Sequence, residues 1–186
     1  MIKSVVEIAN VFIKEGIKEG DTCLDLTMGN GNDTCLLAKL VGENGKVFSF
    51  DVQDLAIKNT KKLLKEKDIK NVTLIQDTHS NVRKYVNENI KAAVYNLGFL
   101  PKSDKEVVTN ADEVLSSLGD VLDMLEVGGF VTICSYLAHD GGKEEYTAIK
   151  MFLSDLDKSK YDIIHIAHFL RKSTSPKLII IEKKEK

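Results

Sequence analysis

Hydrophobic positions along the chain switch repeatedly between a helical and a strand period. Val5, Ile8, Ala9, Phe12 and Ile13 recur at helical spacing and predict an amphipathic opening helix. Thr22-Cys23-Leu24-Asp25-Leu26 reads as a short strand that runs into Gly29-Asn30-Gly31. A helix follows through Leu36, Leu37, Leu40 and Val41 and is stopped by Gly42 and Gly45. Val47 to Asp51 is a second strand. The helix after it carries Ala56, Thr60, Leu63 and Leu64 on one face and Lys58, Lys61, Lys62 and Lys65 mostly towards solvent. Val72 to Ile75 is a third strand ending at Asp77-Thr78-His79, and Ala92 to Asn96 a fourth. A long helix is predicted from Ala111 to Leu125, closed by Gly128-Gly129, then a fifth strand from Phe130 to Cys134 and a helix from Glu144 to Leu156. Two last β runs, Tyr161 to Leu170 and Leu178 to Ile181, are separated only by Arg171 to Lys177.

Strands alternating with helices imply a parallel sheet built from right-handed crossovers. A run such as Val131 to Cys134, apolar on both faces, suits a sheet covered on both sides. The last two strands lack an intervening helix, so they pair antiparallel. The expectation is an α/β chain forming a single Rossmann-like domain over residues 1–186, with a seven-stranded, mostly parallel sheet and an antiparallel last strand.

Composition narrows the class of function. The 186 residues are 43% hydrophobic, and 26 Lys+Arg against 28 Asp+Glu leave a formal charge of −2. Balanced charge with recurrent apolar positions fits a folded chain and excludes a polybasic arm. No apolar run reaches the ~18 residues of a membrane span, and no signal-peptide pattern opens the chain. Cys23, Cys35 and Cys134 are scattered and form no C-x-x-C, so neither a disulfide framework nor a cysteine metal site is expected and a cytoplasmic setting fits. His165 and His168 are expected on opposite faces of a strand and suggest no metal site.

Ligands of such a sheet bind beyond the carboxyl ends of its strands. Four ends carry small or polar residues here. At the first, Asp25 to Thr34, glycines including Gly29 let backbone approach a ligand where a side chain would collide, or simply make a tight turn. At the second, Asp51 stands twenty residues beyond Gly31, placed to accept both hydroxyls of a ribose or to cap the next helix. At the third, Asp77 can accept from an adenine amine or cap a helix starting near Asn81, with Thr78 and His79 beside it. The fourth is Asn96. An adenosine-type ligand follows from the combination. In the dinucleotide fingerprint the third glycine would fall where Thr34 stands, which disfavours NAD and favours S-adenosyl-L-methionine. A seven-stranded sheet closing with an antiparallel hairpin resembles the class I methyltransferase fold.

Four blocks make the resemblance closer. Leu24 to Thr34 is similar to the D-x-T-x-G-N-G-x-D-T block of the bacterial family labelled "putative rRNA methylase", whose members are assigned as tRNA wobble-uridine methyltransferases acting on 5-aminomethyl-(2-thio)uridine. Phe50-Asp51-Val52-Gln53, Asn96-Leu97-Gly98-Phe99-Leu100-Pro101 with Asp104-Lys105, and His139 to Glu145 match further blocks in order. The family's Pro-Pro before the last strand is Ser175-Pro176 here. The resemblance implies that Asn30, Asn32, Asp51, Gln53, Thr78 and His79 contact S-adenosylmethionine. It implies a tRNA partner engaged through its anticodon stem-loop, and suggests a homodimer.

Where amino-methylating enzymes of this fold carry N/D-P-P-Y/F, the chain reads Asn96-Leu97-Gly98-Phe99. Asn96 can still accept from an amine through its side-chain carbonyl, and Phe99 can stack on a base or pack in the core. A primary alkyl amine must lose a proton before attack, and His139 is the candidate acceptor, with Asp140 and Glu144 behind it. The His139 run equally suits a turn and helix start. No cysteine stands in the fourth-strand loop, so carbon methylation through a covalent adduct is not expected. Lys102, Lys105, Lys143, Arg171, Lys172 and Lys177 fall in loops and form a candidate basic rim for phosphates.

Overall fold

Residues 3–98 and 111–184 are described in the computed structural model. Ser4 caps α1 (Val5–Gly16) reciprocally: its hydroxyl accepts from the Glu7 N–H at 3.2 Å, and the Glu7 carboxylate accepts from the Ser4 N–H at 2.8 Å. There follow β1 (Thr22–Asp25), α2 (Asn32–Val41), β2 (Lys46–Phe50), α3 (Asp54–Glu66) and β3 (Val72–Ile75). A single 3-10 turn (His79–Asn81) leads into α4 (Val82–Tyr85) and β4 (Ile90–Leu97). The second part holds α5 (Ala111–Met124), β5 (Leu125–Ser135), α6 (Gly142–Ser154), β6 (Tyr161–Ile166) and β7 (Lys177–Lys183).

The seven strands lie in the order β3-β2-β1-β4-β5-β7-β6. The first five are mutually parallel, and β7 is inserted antiparallel between β5 and β6. Strand pleat sends successive residues of β4 to opposite faces. Ala92 and Val94 pack in a cluster with Ile13, Leu37 and Val41 of α1 and α2, whereas Ala93, Tyr95 and Leu97 pack with Val114, Leu118, Ile149 and Leu153 of α5 and α6. Burial on both sides explains the near-continuous apolar runs of β4 and β5. Winding outward in both directions from the neighbouring pair β1 and β4, the chain leaves a crevice between their carboxyl ends.

Two expected boundaries move. Gly128-Gly129 does not close a helix; it lies inside β5, which begins at Leu125. The ladder there jumps from Ile90↔Leu125 to Ala92↔Phe130, so the intervening residues of β5 bulge out. Gly128 takes φ +72°, and a Cβ on Gly129 would meet the Glu126 carbonyl oxygen at 2.9 Å and that of Lys91 at 3.0 Å. The pair of glycines therefore serves a close backbone crossing. At the other end, β6 stops at Ile166 rather than Leu170, because the last rung of its ladder is Ile166↔Leu178. The apolar pair Phe169 and Leu170 consequently sits in an exposed loop, the former 98% accessible. No helix among the described residues is long and apolar enough to cross a membrane.

Candidate active site

The carboxyl ends of β1 to β5 enclose a cavity of about 500 Å³, within the range of small-molecule sites. Its floor is the turn between β1 and α2. Gly29 (φ +52°) and Gly31 (φ +77°) give that turn its left-handed steps. A Cβ on Gly31 would lie 2.7 Å from the Thr60 side chain, while the Thr60 hydroxyl donates to the Gly29 carbonyl oxygen at 3.2 Å. The turn is thus clamped against α3 as well as against the sheet.

Asp51, immediately after β2, accepts from the Gly29 N–H and the Gln53 N–H, each at 2.9 Å. Burial raises its pKa, and these backbone donors offset only part of the rise. A carboxylate has about four acceptor positions, so these bonds leave it able to accept from a ligand hydroxyl. Asn30 and Asn32 line the cavity from the turn and the first residue of α2, and the Asn30 carbonyl accepts from Asn59 at 3.0 Å. The N–H groups of the first turn of α2, which a helix leaves without intrahelical partners, suit a ligand carboxylate.

On the far wall Asp77 accepts from the Thr78 N–H at 2.8 Å, Asn81 Nδ2 at 3.0 Å and the Tyr85 hydroxyl at 2.8 Å. The bonds from Asn81 and Tyr85 lower its pKa. The Thr78 hydroxyl donates to Glu113 at 2.9 Å, bringing α5 to the cavity. His79 is buried, its Nδ1 3.0 Å from the Ser117 hydroxyl, and burial pushes its pKa down to about 4. The Ser117 hydroxyl also lies 3.0 Å from the Val114 carbonyl oxygen and 2.9 Å from the Tyr95 hydroxyl. The lowered pKa keeps the imidazole neutral near neutral pH, and His79 lines the cavity.

At the switch point, Asn96 donates from Nδ2 to Asp33 Oδ2 at 2.6 Å, and its backbone N–H donates to the Thr27 hydroxyl at 2.7 Å. Tyr136 adjoins them, its N–H bonded to the Leu97 carbonyl at 3.0 Å. The described lining holds the carboxylates Asp33, Asp51, Asp77 and Glu113 and no lysine or arginine.

The family described as "Putative rRNA methylase" matches residues 47–182. A chloroplastic tRNA (mnm(5)s(2)U34)-methyltransferase of Arabidopsis thaliana is 35% identical over 98% of this chain and 70% of its own length. The chain belongs to the putative rRNA methylase family. A crystal structure of a putative rRNA-methylase from Clostridium thermocellum superposes with a TM-score of 0.96 at 40% identity, covering 98% of this chain and 99% of that one. A putative methyltransferase from Streptococcus mutans, solved in complex with SAH, gives 0.91 at 37% identity, with 98% and 99% covered. Residues 3–84 also match the protein-L-isoaspartate O-methyltransferase family. The fold is that of a class I methyltransferase.

In this family member the structure brings Gly29, Asn30, Asn32, Asp51, Gln53, Asp77, Thr78, His79 and Asn96 to one cavity. Two expected positions are corrected. Asp25 is fully buried beneath the turn and absent from the described cavity wall; it accepts from the Thr34 hydroxyl at 2.6 Å and the Thr27 N–H at 3.2 Å. Burial and the nearby Asp33 charge push its pKa up to about 7. His139 is likewise off the described wall, because its Nδ1 bonds the Asp140 carbonyl oxygen at 2.9 Å and its ring packs back on Gly142. Phe99, Lys102, Asp104 and Lys105 lie outside the described residues. Sequence reasoning missed Asp33, Glu113 and Tyr136. Asp33 stood inside the quoted glycine block but carried no role of its own there, since its partner Asn96 is sixty-three residues away.

Proposed function

We propose that the protein transfers a methyl group from S-adenosylmethionine to the 5-aminomethyl group of the wobble uridine of a tRNA. The methyl-donor half of the reading rests on the fit of the donor set. Asp51 has acceptor capacity for ribose hydroxyls, the α2 N-terminus suits the methionine carboxylate, and four carboxylates suit a ligand carrying a sulfonium and an ammonium. Thr34 adds a reason against a dinucleotide: it is buried, bonded to Asp25 at 2.6 Å and Ser49 at 2.8 Å, so helix packing here uses a hydroxyl rather than a glycine.

The substrate half rests on Asn96. S-adenosylmethionine supplies the electrophilic methyl group and the thioether leaving group. Asn96 turns its amide nitrogen to Asp33, which leaves its carbonyl oxygen to accept from a nitrogen-borne proton and aim the lone pair. Thr27 fixes the Asn96 backbone, and Tyr136 forms the adjacent wall. The loop after β6 hangs from the same sheet edge, since Ser135↔Lys177 sets β7 beside β5 just before Tyr136. Arg171, Lys172 and Lys177 can meet phosphates there, and exposed Phe169 can stack on a splayed base.

Nucleoside mass spectrometry of tRNA carrying 5-aminomethyluridine, incubated with the protein and S-adenosylmethionine labelled in its methyl group, tests the reading. A labelled methyl on the aminomethyl nitrogen is expected; an unchanged 5-aminomethyluridine in competent tRNA refutes the substrate.

A further inference from the structure

We propose that Asp33, held by Asn96 at the β1–β4 switch point, is the seat of the substrate ammonium and the acceptor of its proton. The inference deepens the amine-methylation reading and rests on it. Asp33 lines the cavity, and among the described residues its carboxylate accepts one hydrogen bond, from Asn96 Nδ2 at 2.6 Å. That bond fixes Oδ2 and leaves Oδ1 for a second donor. An amine lodged between Asp33 and the Asn96 carbonyl would meet one charged and one neutral acceptor. With His139 off the described wall, Asp33 is the one carboxylate among the described residues hydrogen-bonded to Asn96.

Arriving as R–CH2–NH3+, with a pKa of about 10 in water, the substrate binds Asp33 as a cation. One N–H bond then breaks, its electron pair stays on nitrogen, and the proton forms an O–H bond on Asp33. The neutral amine nitrogen forms its bond to the methyl carbon as the carbon–sulfur bond breaks and sulfur keeps that pair. The product is R–CH2–NH2+–CH3, and Asp33 returns its proton to solvent. Burial favours this transfer from both sides: it raises the Asp33 pKa and lowers that of an ammonium. Groups facing Asp33 from other elements are Asp25 at the end of β1, Asn96 on β4, and Cys134 and Tyr136 at the end of β5. Burial pushes Cys134 up to about 12 and also raises Tyr136, so neither is an anion near neutrality, whereas Asp25, raised to about 7, titrates there.

Asp33→Asn, which keeps the shape, separates the roles; both proteins are made in an Asp25→Asn background to remove that titration. Near neutral pH the variant is expected to lose about 100-fold in turnover, recovering to within roughly tenfold near pH ~10 where about half of the amine is already neutral. Affinity for S-adenosylhomocysteine is expected to stay within about threefold, because the lost contact is to substrate. Carboxyl 13C resonances of the cofactor-free protein supply a readout independent of turnover. The Asp33 signal should titrate above the ordinary carboxylate range and shift downward in pKa when 5-aminomethyluridine, but not uridine, is added. A variant whose loss is the same at every pH, a parallel loss of S-adenosylhomocysteine affinity, or an Asp33 signal indifferent to the amine overturns the proposal. Wild-type protein that leaves the tRNA unmethylated instead overturns the function reading, and the resonance response to the amine still decides Asp33.

Discussion

Asp25 at the end of β1 and Asp51 just after β2 flank the same glycine turn and both have raised pKa values, yet one is sealed in and the other opens on the cavity. Asp25 is enclosed: its oxygens take the Thr34 hydroxyl and the Thr27 N–H, and it ties the first turn of α2 to the sheet. Asp51 is only partly covered, and it spends two backbone bonds on shaping the turn while still lining the cavity. The difference is one of surroundings rather than residue type. A strand-end acid is accessible to a ligand when its side of the turn is open. When the following helix covers it, the same acid becomes a buried clip whose charge is costly.

The largest expected effect separates the two acids by binding. Asp51→Ala removes an acceptor for ribose hydroxyls and should weaken S-adenosylhomocysteine by about 4 kcal/mol, roughly a thousandfold. Asp25→Asn should leave that affinity within about threefold in the same titration. An equal loss in both variants would erase the distinction.

Next in size is the pH dependence of stability. The folded pKa of Asp25 is raised to about 7 from 3.8, so the native state holds a proton that the unfolded chain releases. That contribution is full below the unfolded value and is lost as pH rises through about 7. Asp25→Asn should therefore be more stable than wild type at mildly alkaline pH, by about 3 kcal/mol in urea denaturation. A variant less stable than wild type there would mean that the charged form of Asp25 is the useful one.

His79 gives a smaller effect of opposite sign. Its folded pKa is depressed to about 4 from 6.5, so the unfolded chain binds the extra proton between these values. Stability is full above the unfolded value and declines as pH falls through the window. His79→Gln should flatten this acid limb by about 2 kcal/mol; an unchanged limb would place the loss on other groups.

Much of this was legible in the chain. Alternating periods located all seven strands, and the spacing from Gly31 to Asp51 pointed to an acid that lies on the cavity wall, because both are local signals along one β-α-β unit. What failed depended on neighbours far away in sequence. Gly128-Gly129 read as a helix stop, but a crossing with Lys91 and the bulge against β4 explain it. Asp25 and Asp51 looked alike until Thr34 and Ser49 closed over one of them. Asp33 gained meaning only when β4 was placed beside β1, which brought Asn96 to it. Glu113 reaches the cavity through Thr78, from a helix on the other face of the sheet.

Calorimetric titration of the wild-type protein with S-adenosylhomocysteine, and separately with NAD, tests the central claim most directly. The cavity as described should take one S-adenosylhomocysteine per chain and show no response to NAD. Tight NAD binding with no heat from S-adenosylhomocysteine would contradict the account.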